Sequence, residues 1–201
     1  MRSRAAAAVL GREGFKEVYS MEGGIHAWKG LRATGAPDAG MAYFEPAKKP
    51  EELIALAWVL EEGSCKYYKE MGIKEKSPGA VALFQELSGD EEKHKSSLFK
   101  IYQRVSGKDS DPGFPRSLAS LESGDDYLEG GIRLRKALEW SRGKDLKDIL
   151  EFSISLEVNA IDLYIKMERR VEGKDPKEVF LALSNQERNH LKRLSAALEK
   201  N

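Results

Sequence analysis

Only one cysteine, Cys65, occurs in the 201 residues, which excludes an internal disulfide and any Cys-x-x-Cys knuckle for iron or zinc. Histidine is almost as scarce, so imidazole chemistry is confined to His26, His94 and His190. Net charge is lacking too. The 33 basic and 33 acidic side chains cancel, and no global field draws the chain to nucleic acid or to an anionic membrane. No apolar run approaches the roughly 20 residues of a membrane-spanning helix, and the first residues lack the charged-then-apolar layout of a secretory signal. A cytoplasmic location is the expectation.

What is present suffices for a domain with its own core, since 41% of the residues are hydrophobic. Breakers divide the chain. Residues 31–50 carry Gly35, Pro37, Gly40, Pro46 and Pro50 without sustained periodicity, so residues 37–49 read as a linker between an N-terminal segment, 1–36, and a domain over 50–201.

Helical spacing dominates that domain. Leu53, Leu56, Ala57, Leu60, Ser64, Tyr68 and Met71 recur every three or four residues and mark one face of a first helix. Val81, Phe84, Leu87, Leu98 and Ile101 mark a second, Ile149, Phe152, Leu156, Ala160, Tyr164 and Met167 a third, and Val179, Phe180, Leu183, Leu191, Leu194 and Leu198 a fourth. The interval between the second and third opens with the breaker-rich "SGKDSDPGFP" and holds a shorter helical pattern at "GGIRLRKALEW". Two helical hairpins joined by one long crossover make a mainly α four-helix bundle of the ferritin-like arrangement.

The hairpins are copies of one unit. Residues 57–98 laid over 153–194 without a gap match at ten positions, among them Glu61/Glu157, Tyr68/Tyr164, Glu91/Glu187 and His94/His190. Most matches lie on apolar stripes, as packing alone requires. The four glutamates and two histidines lie there as well, and packing does not require those. Glu91 and His94 are three residues apart and leave the same helix face, as do Glu187 and His190. Glu61 and Glu157 fall on the stripes of the first and third helices, so all six are expected to point inward.

A single Glu-x-x-His in a chain with 33% charged residues is a weak signal, because charged runs usually form solvated faces. Two copies, each with an inward glutamate 30 residues upstream, are far more specific. Four carboxylates converging in an apolar core need cations, since each costs several kcal/mol to desolvate and they repel one another. Two divalent ions balance four carboxylates, with the imidazoles as neutral ligands. Mixed carboxylate and imidazole ligation suits iron or manganese, with zinc as another occupant. Salt bridges to buried lysines are the alternative.

The stretches "EEGSCKYY", "LSGDEEKH", "LEVNAIDLY" and "LSNQERNH" resemble the ferritin-like di-iron carboxylate proteins, and most closely their rubrerythrin-like branch, over residues 50–198. The resemblance implies two irons held by Glu61, Glu91, His94, Glu157, Glu187 and His190 as metal and catalytic residues, with Glu91 and Glu187 bridging and Tyr68 and Tyr164 nearby. It implies a peroxide-reducing enzyme, or one oxidising ferrous iron with dioxygen. Typical rubrerythrins carry a further glutamate one turn after the third-helix ligand, where this chain has Ala160. They also carry a four-cysteine electron-donating module; with Cys65 alone, this chain needs an external donor protein or a small reductant. A non-enzymatic iron-binding or redox-sensing module is the reading from another class.

"RSRAAAAVLGREGFKEVYSMEGGIHAWKG" resembles the last third of a rhodanese domain. Arg2 and Ser3 correspond to the end of the active loop, Ala5–Leu10 to a helix, residues 17–21 to a strand, and Gly23, Gly24, Ile25, Ala27 and Trp28 to the opening of the last helix. The nucleophilic cysteine of that family would precede Met1, so no sulfurtransferase activity is expected of the chain as it stands. The segment is either part of a longer rhodanese fusion or a docking arm, and its apolar surface makes a homodimer the expected assembly. His26 falls at a variable position of that motif and is not expected to be a ligand.

Overall fold

The computed structural model describes residues 49–119 and 126–201. Residues 1–36, read above as a rhodanese-like fragment, lie outside them, as does the linker apart from Lys49. The described residues are mainly helical, with five helices and one two-stranded hairpin: α1 Pro50–Lys74, α2 Pro78–Ser106, β1 Tyr127–Leu128, β2 Ile132–Arg133, α3 Leu134–Trp140, α4 Leu146–Arg170 and α5 Lys174–Glu199. None of these helices is long and apolar enough to cross a membrane.

Local chemistry sets the helix ends. Pro50 and Pro78 occupy first-turn positions, where a missing N–H costs nothing. The Asp145 side chain accepts a hydrogen bond from the Asp148 N–H at 2.8 Å and so caps α4. Gly107 closes α2 in the left-handed conformation, φ 67°. Three-residue turns fold α1 onto α2 and α4 onto α5, the two hairpins that the repeat implies.

The core forms two apolar layers. In one, Leu53, Leu56 and Leu60 meet Leu98, Ile101, Tyr164, Met167, Phe180 and Leu183. In the other, Tyr67, Tyr68 and Met71 meet Phe84, Leu87, Leu150, Leu156 and Leu194. Along every long helix the inward glutamates and histidines fall in sequence between the residues of the two layers. Packing therefore sets a polar stratum between two dry ones.

Two features depart from the periodicity. The helix expected within "GGIRLRKALEW" covers only Leu134–Trp140, because Gly130 and Gly131 both adopt positive φ, 85° and 72°, and turn β1 into β2. In addition α1 is buried almost all round, not along one stripe: Ile54, Ala55, Val59 and Tyr67 are covered as well. The crossover supplies the cover. Ala119 packs with Ala55 and Val59, and β1 lies on α1 at Gly63.

That last contact requires glycine. A Cβ at Gly63 would stand 2.1 Å from the Tyr127 carbonyl oxygen, whereas one at the exposed Gly89 of α2 would meet nothing within 4 Å. Gly63→Ala should therefore destabilise the protein by roughly 1–3 kcal/mol through forced displacement of the crossover. Gly89→Ala should stabilise it by up to about 1 kcal/mol through helix propensity alone. Denaturant midpoints of the two variants check both signs; equal effects would show that β1 does not press on α1.

Candidate metal centre

Each long helix delivers its polar residues into the stratum between the layers. Glu61 enters from α1, Glu91 and His94 from α2, Glu157 from α4, and Glu187 and His190 from α5; none is more than 2% exposed. His94 Nδ1 lies 2.8 Å from Glu91 Oε2, 3.0 Å from Glu187 Oε1 and 3.2 Å from Glu61 Oε2. His190 Nδ1 lies 2.9 Å from Glu187 Oε2, 3.4 Å from Glu91 Oε1 and 3.6 Å from Glu157 Oε2. The rings stack with centroids 5.3 Å apart.

Two overlapping sets result. Glu61, Glu91, His94 and Glu187 offer atoms within 4.8 Å of one another, and so do Glu91, Glu157, Glu187 and His190. Glu91 and Glu187 belong to both sets, as bridging groups must. Each imidazole Nδ1 faces three carboxylate oxygens, but one N–H can satisfy only one of them. Glu91 Oε2, Glu187 Oε1 and His190 Nδ1 are buried without a directed hydrogen bond. Lone pairs converging on a small dry space, with protons too few to pair them, suit two cations. Among the described residues the one buried lysine, Lys95, pairs instead with Glu62 and Glu92.

The charge distribution follows from burial. Desolvation, with the charge of Glu91 added, pushes the Glu61 carboxyl up to about 7. Burial and then Glu187 push Glu157 well above the carboxylate range. Burial and the Glu187 charge also oppose ionisation of Glu91, but the close approach of the His190 and His94 imidazoles outweighs them and holds it low. Glu187 is held low in the same way against burial and Glu61. Burial disfavours both imidazolium ions, yet the surrounding carboxylates keep His94 and His190 protonated well above their ordinary range.

The tyrosines connect the two halves. Tyr68 on α1 donates to Glu157 on α4, and Tyr164 on α4 donates to Glu61 on α1. These reciprocal bonds fix one oxygen of each unshared glutamate. Cys65 stands apart: its Sγ lies 3.3 Å from Glu92 Oε1 and 3.5 Å from the Ser88 carbonyl, and burial pushes the thiol up. On the α2–α5 side Asp90 Oδ2 lies 3.5 Å from His190 Nε2 and accepts from Arg193 Nη1 at 2.9 Å.

One residue of this neighbourhood escaped the sequence reading. Glu129, at the tip of the β1–β2 hairpin, is only 3% exposed and accepts a hydrogen bond from Ser64 Oγ. Burial, then Glu61 and Glu91, push its carboxyl well above the ordinary range. It lies on neither a helix nor a repeat, so periodicity carried no signal for it. The only hint was an acidic residue before two glycines.

Comparison with known proteins adds a family to this geometry. The chain matches the rubrerythrin family over residues 52–136 and 148–201, which include all six inward residues. A solved structure of a hypothetical protein from Pyrococcus furiosus superposes with a TM-score of 0.59 at 25% identity, covering 82% of this chain and 95% of that one. No curated protein matches. With a match that spans more than half of its length and the whole of the polar stratum, this chain belongs to the rubrerythrin family.

Proposed function

We propose that the centre holds two iron ions and that the protein is an oxidoreductase acting on peroxide or dioxygen. The observation that carries this is the pair of overlapping ligand sets sharing Glu91 and Glu187. Glu61 and His94 belong to one metal position, Glu157 and His190 to the other. Two adjacent irons supply two electrons together, which matches the demand of an O–O bond. The protein's own part is to position and to insulate. Tyr68 and Tyr164 hold the unshared glutamates by hydrogen bonds, and the apolar layers above and below exclude water. Residues 50–201 call for an electron donor outside themselves, because their one cysteine cannot build an iron–sulfur site.

Metal analysis followed by stopped-flow oxidation tests this. The chain reconstituted with ferrous iron should hold close to two ions and be oxidised by peroxide within the mixing experiment, with repeated turnover when reductant is supplied. Two ions with one slow stoichiometric oxidation would instead indicate an iron-binding or sensing module. No bound metal in folded protein would remove both readings.

Substitution separates the shared from the unshared ligands. Glu61→Gln should weaken one metal position by at least about tenfold and abolish two-electron oxidation while leaving the other position occupied. The exposed Glu70 on the same helix provides a charge-matched control, and Glu70→Gln should leave both unchanged. Equal behaviour of the two variants in metal titration would refute the inward role of Glu61.

Stability of the metal-free protein should depend on pH with a defined sign. Glu61 rises on folding from its ordinary 4.5 to about 7, so its contribution is complete below pH 4.5 and is lost as pH climbs through 7. His94 and His190, also raised on folding, contribute in the same direction above their ordinary 6.5. Metal-free protein should melt at progressively lower temperature from pH 5 to pH 8. The metal-loaded form, whose ligands are already deprotonated, should change far less, and metal uptake should release protons. A metal-free melt that rises over this interval would contradict the assignment.

A further inference from the structure

The tip of the β1–β2 hairpin is built into the bundle by matched features on two helices. Gly63 of α1 lets the Tyr127 carbonyl approach, and Ser64 beside it donates to Glu129 Oε2. From α4, Asn159 Nδ2 donates to the Glu129 carbonyl at 3.4 Å. Gly130, at φ 85°, is pressed so close that a Cβ there would stand 2.3 Å from that same Nδ2. Gly63 and Ser64 are the repeat equivalents of Asn159 and Ala160. The tip is therefore held across the α1–α4 seam, two to three residues beyond Glu61 and Glu157 on their helices.

At this place a fifth buried carboxyl is costly. Ser64, which holds the Glu129 carboxyl, lies three residues beyond Glu61 on the same face of α1, so that carboxyl stands beside the polar stratum while belonging to neither of the two ligand sets. A carboxylate buried among carboxylates is strongly unfavourable unless a proton or a cation joins it.

We propose that Glu129 is a seventh protein ligand of the dimetal centre, supplied from the crossover outside the bundle, with Ser64 as the hydrogen-bonding rest position from which its carboxylate moves onto the metal pair. This rests on the dimetal reading above. Five carboxylates on two divalent ions leave one negative charge, which is neutralised when one ion becomes trivalent. Glu129 thereby favours the oxidised pair, and its loss raises the reduction potential.

Anaerobic titration with cobalt(II), followed through its ligand-field absorption and by competition with a chromophoric chelator, tests this on the full chain. Wild type should take two ions. Glu129→Gln, which keeps the shape and can still accept from Ser64, should bind one of them at least about tenfold more weakly, with altered absorption of that ion. Ser64→Ala should bind both at least as tightly as wild type. In iron-loaded protein, the midpoint potential of Glu129→Gln should lie above that of wild type. Two ions in wild type with Glu129→Gln within twofold at both positions and unchanged in spectrum would overturn the proposal and leave the dimetal reading intact. Equal weakening by Glu129→Gln and Ser64→Ala would also overturn it, since the pair would then be packing. Fewer than two ions in wild type would overturn the dimetal reading itself.

Discussion

Four glutamates and two histidines buried in one stratum of a helical bundle set the constraint on which the rest of the structure depends. Ionised carboxylates at this density repel one another in a medium that screens them poorly, so the stratum must hold either protons or metal ions. Burial and neighbouring charge favour the protonated solution at some members: the surrounding carboxylates raise His94 and His190, and burial pushes Glu61 up to about 7 and Glu157 well above the carboxylate range, while Glu91 and Glu187 are held low. Neither solution supplies cohesion by itself. The two apolar layers do, and by holding four helices at fixed spacing they oblige the polar groups to meet.

The internal repeat shows which positions answer to that constraint. Every one of the ten positions identical in both halves is buried in both, apart from the half-buried Ser88. Between them the halves diverge where their surroundings diverge. Gly63 and Ser64 receive the hairpin tip from one side, while Asn159 and Ala160, their equivalents, meet it differently from the other. Asp90 approaches His190, but its repeat equivalent is Gln186, which cannot present a charge to His94. A set of six inward residues with near twofold symmetry is thus surrounded by groups that lack it, and the two histidines differ in their electrostatic support.

Much of this was legible because helices impose a period. Leu53, Leu56, Leu60 and Met71 announced a buried stripe, and Glu61 could be placed on it by counting residues. The reciprocal bonds of Tyr68 and Tyr164 were less accessible: the spacing put each tyrosine near its own helix's glutamate, yet each bonds the glutamate of the other hairpin. That pairing depends on how the hairpins face one another, which no single-helix pattern encodes. Glu129 was further out of reach. Its burial arises from a two-residue strand, two positive-φ glycines and a missing Cβ at Gly63, each ordinary in sequence and decisive only in combination. The full burial of α1 escaped for the same reason, since its outer cover comes from a crossover without periodicity.

The same crossover makes the centre one-sided. Across the α1–α4 seam, β1 and the hairpin tip close over Gly63 and Ser64, and Tyr127 and Leu128 are completely buried there. On the α2–α5 side no such cover lies over the histidines among the described residues: His94 and His190 line a depression of ≈ 320 Å³ together with Asp90, Lys93, Gln186, Asn189 and Arg193. The charged rim is tied in place, as Arg193 pairs with both Asp90 and Glu86 and thereby links α5 to α2. The Cys65 depression, between α1 and α2, runs instead to Ser88 and Glu92 and reaches none of the six inward residues. Among the described residues, the polar stratum thus adjoins a surface depression at the imidazoles. A carboxylate arriving from the crossover meets the centre from the sealed side, where water does not compete for it.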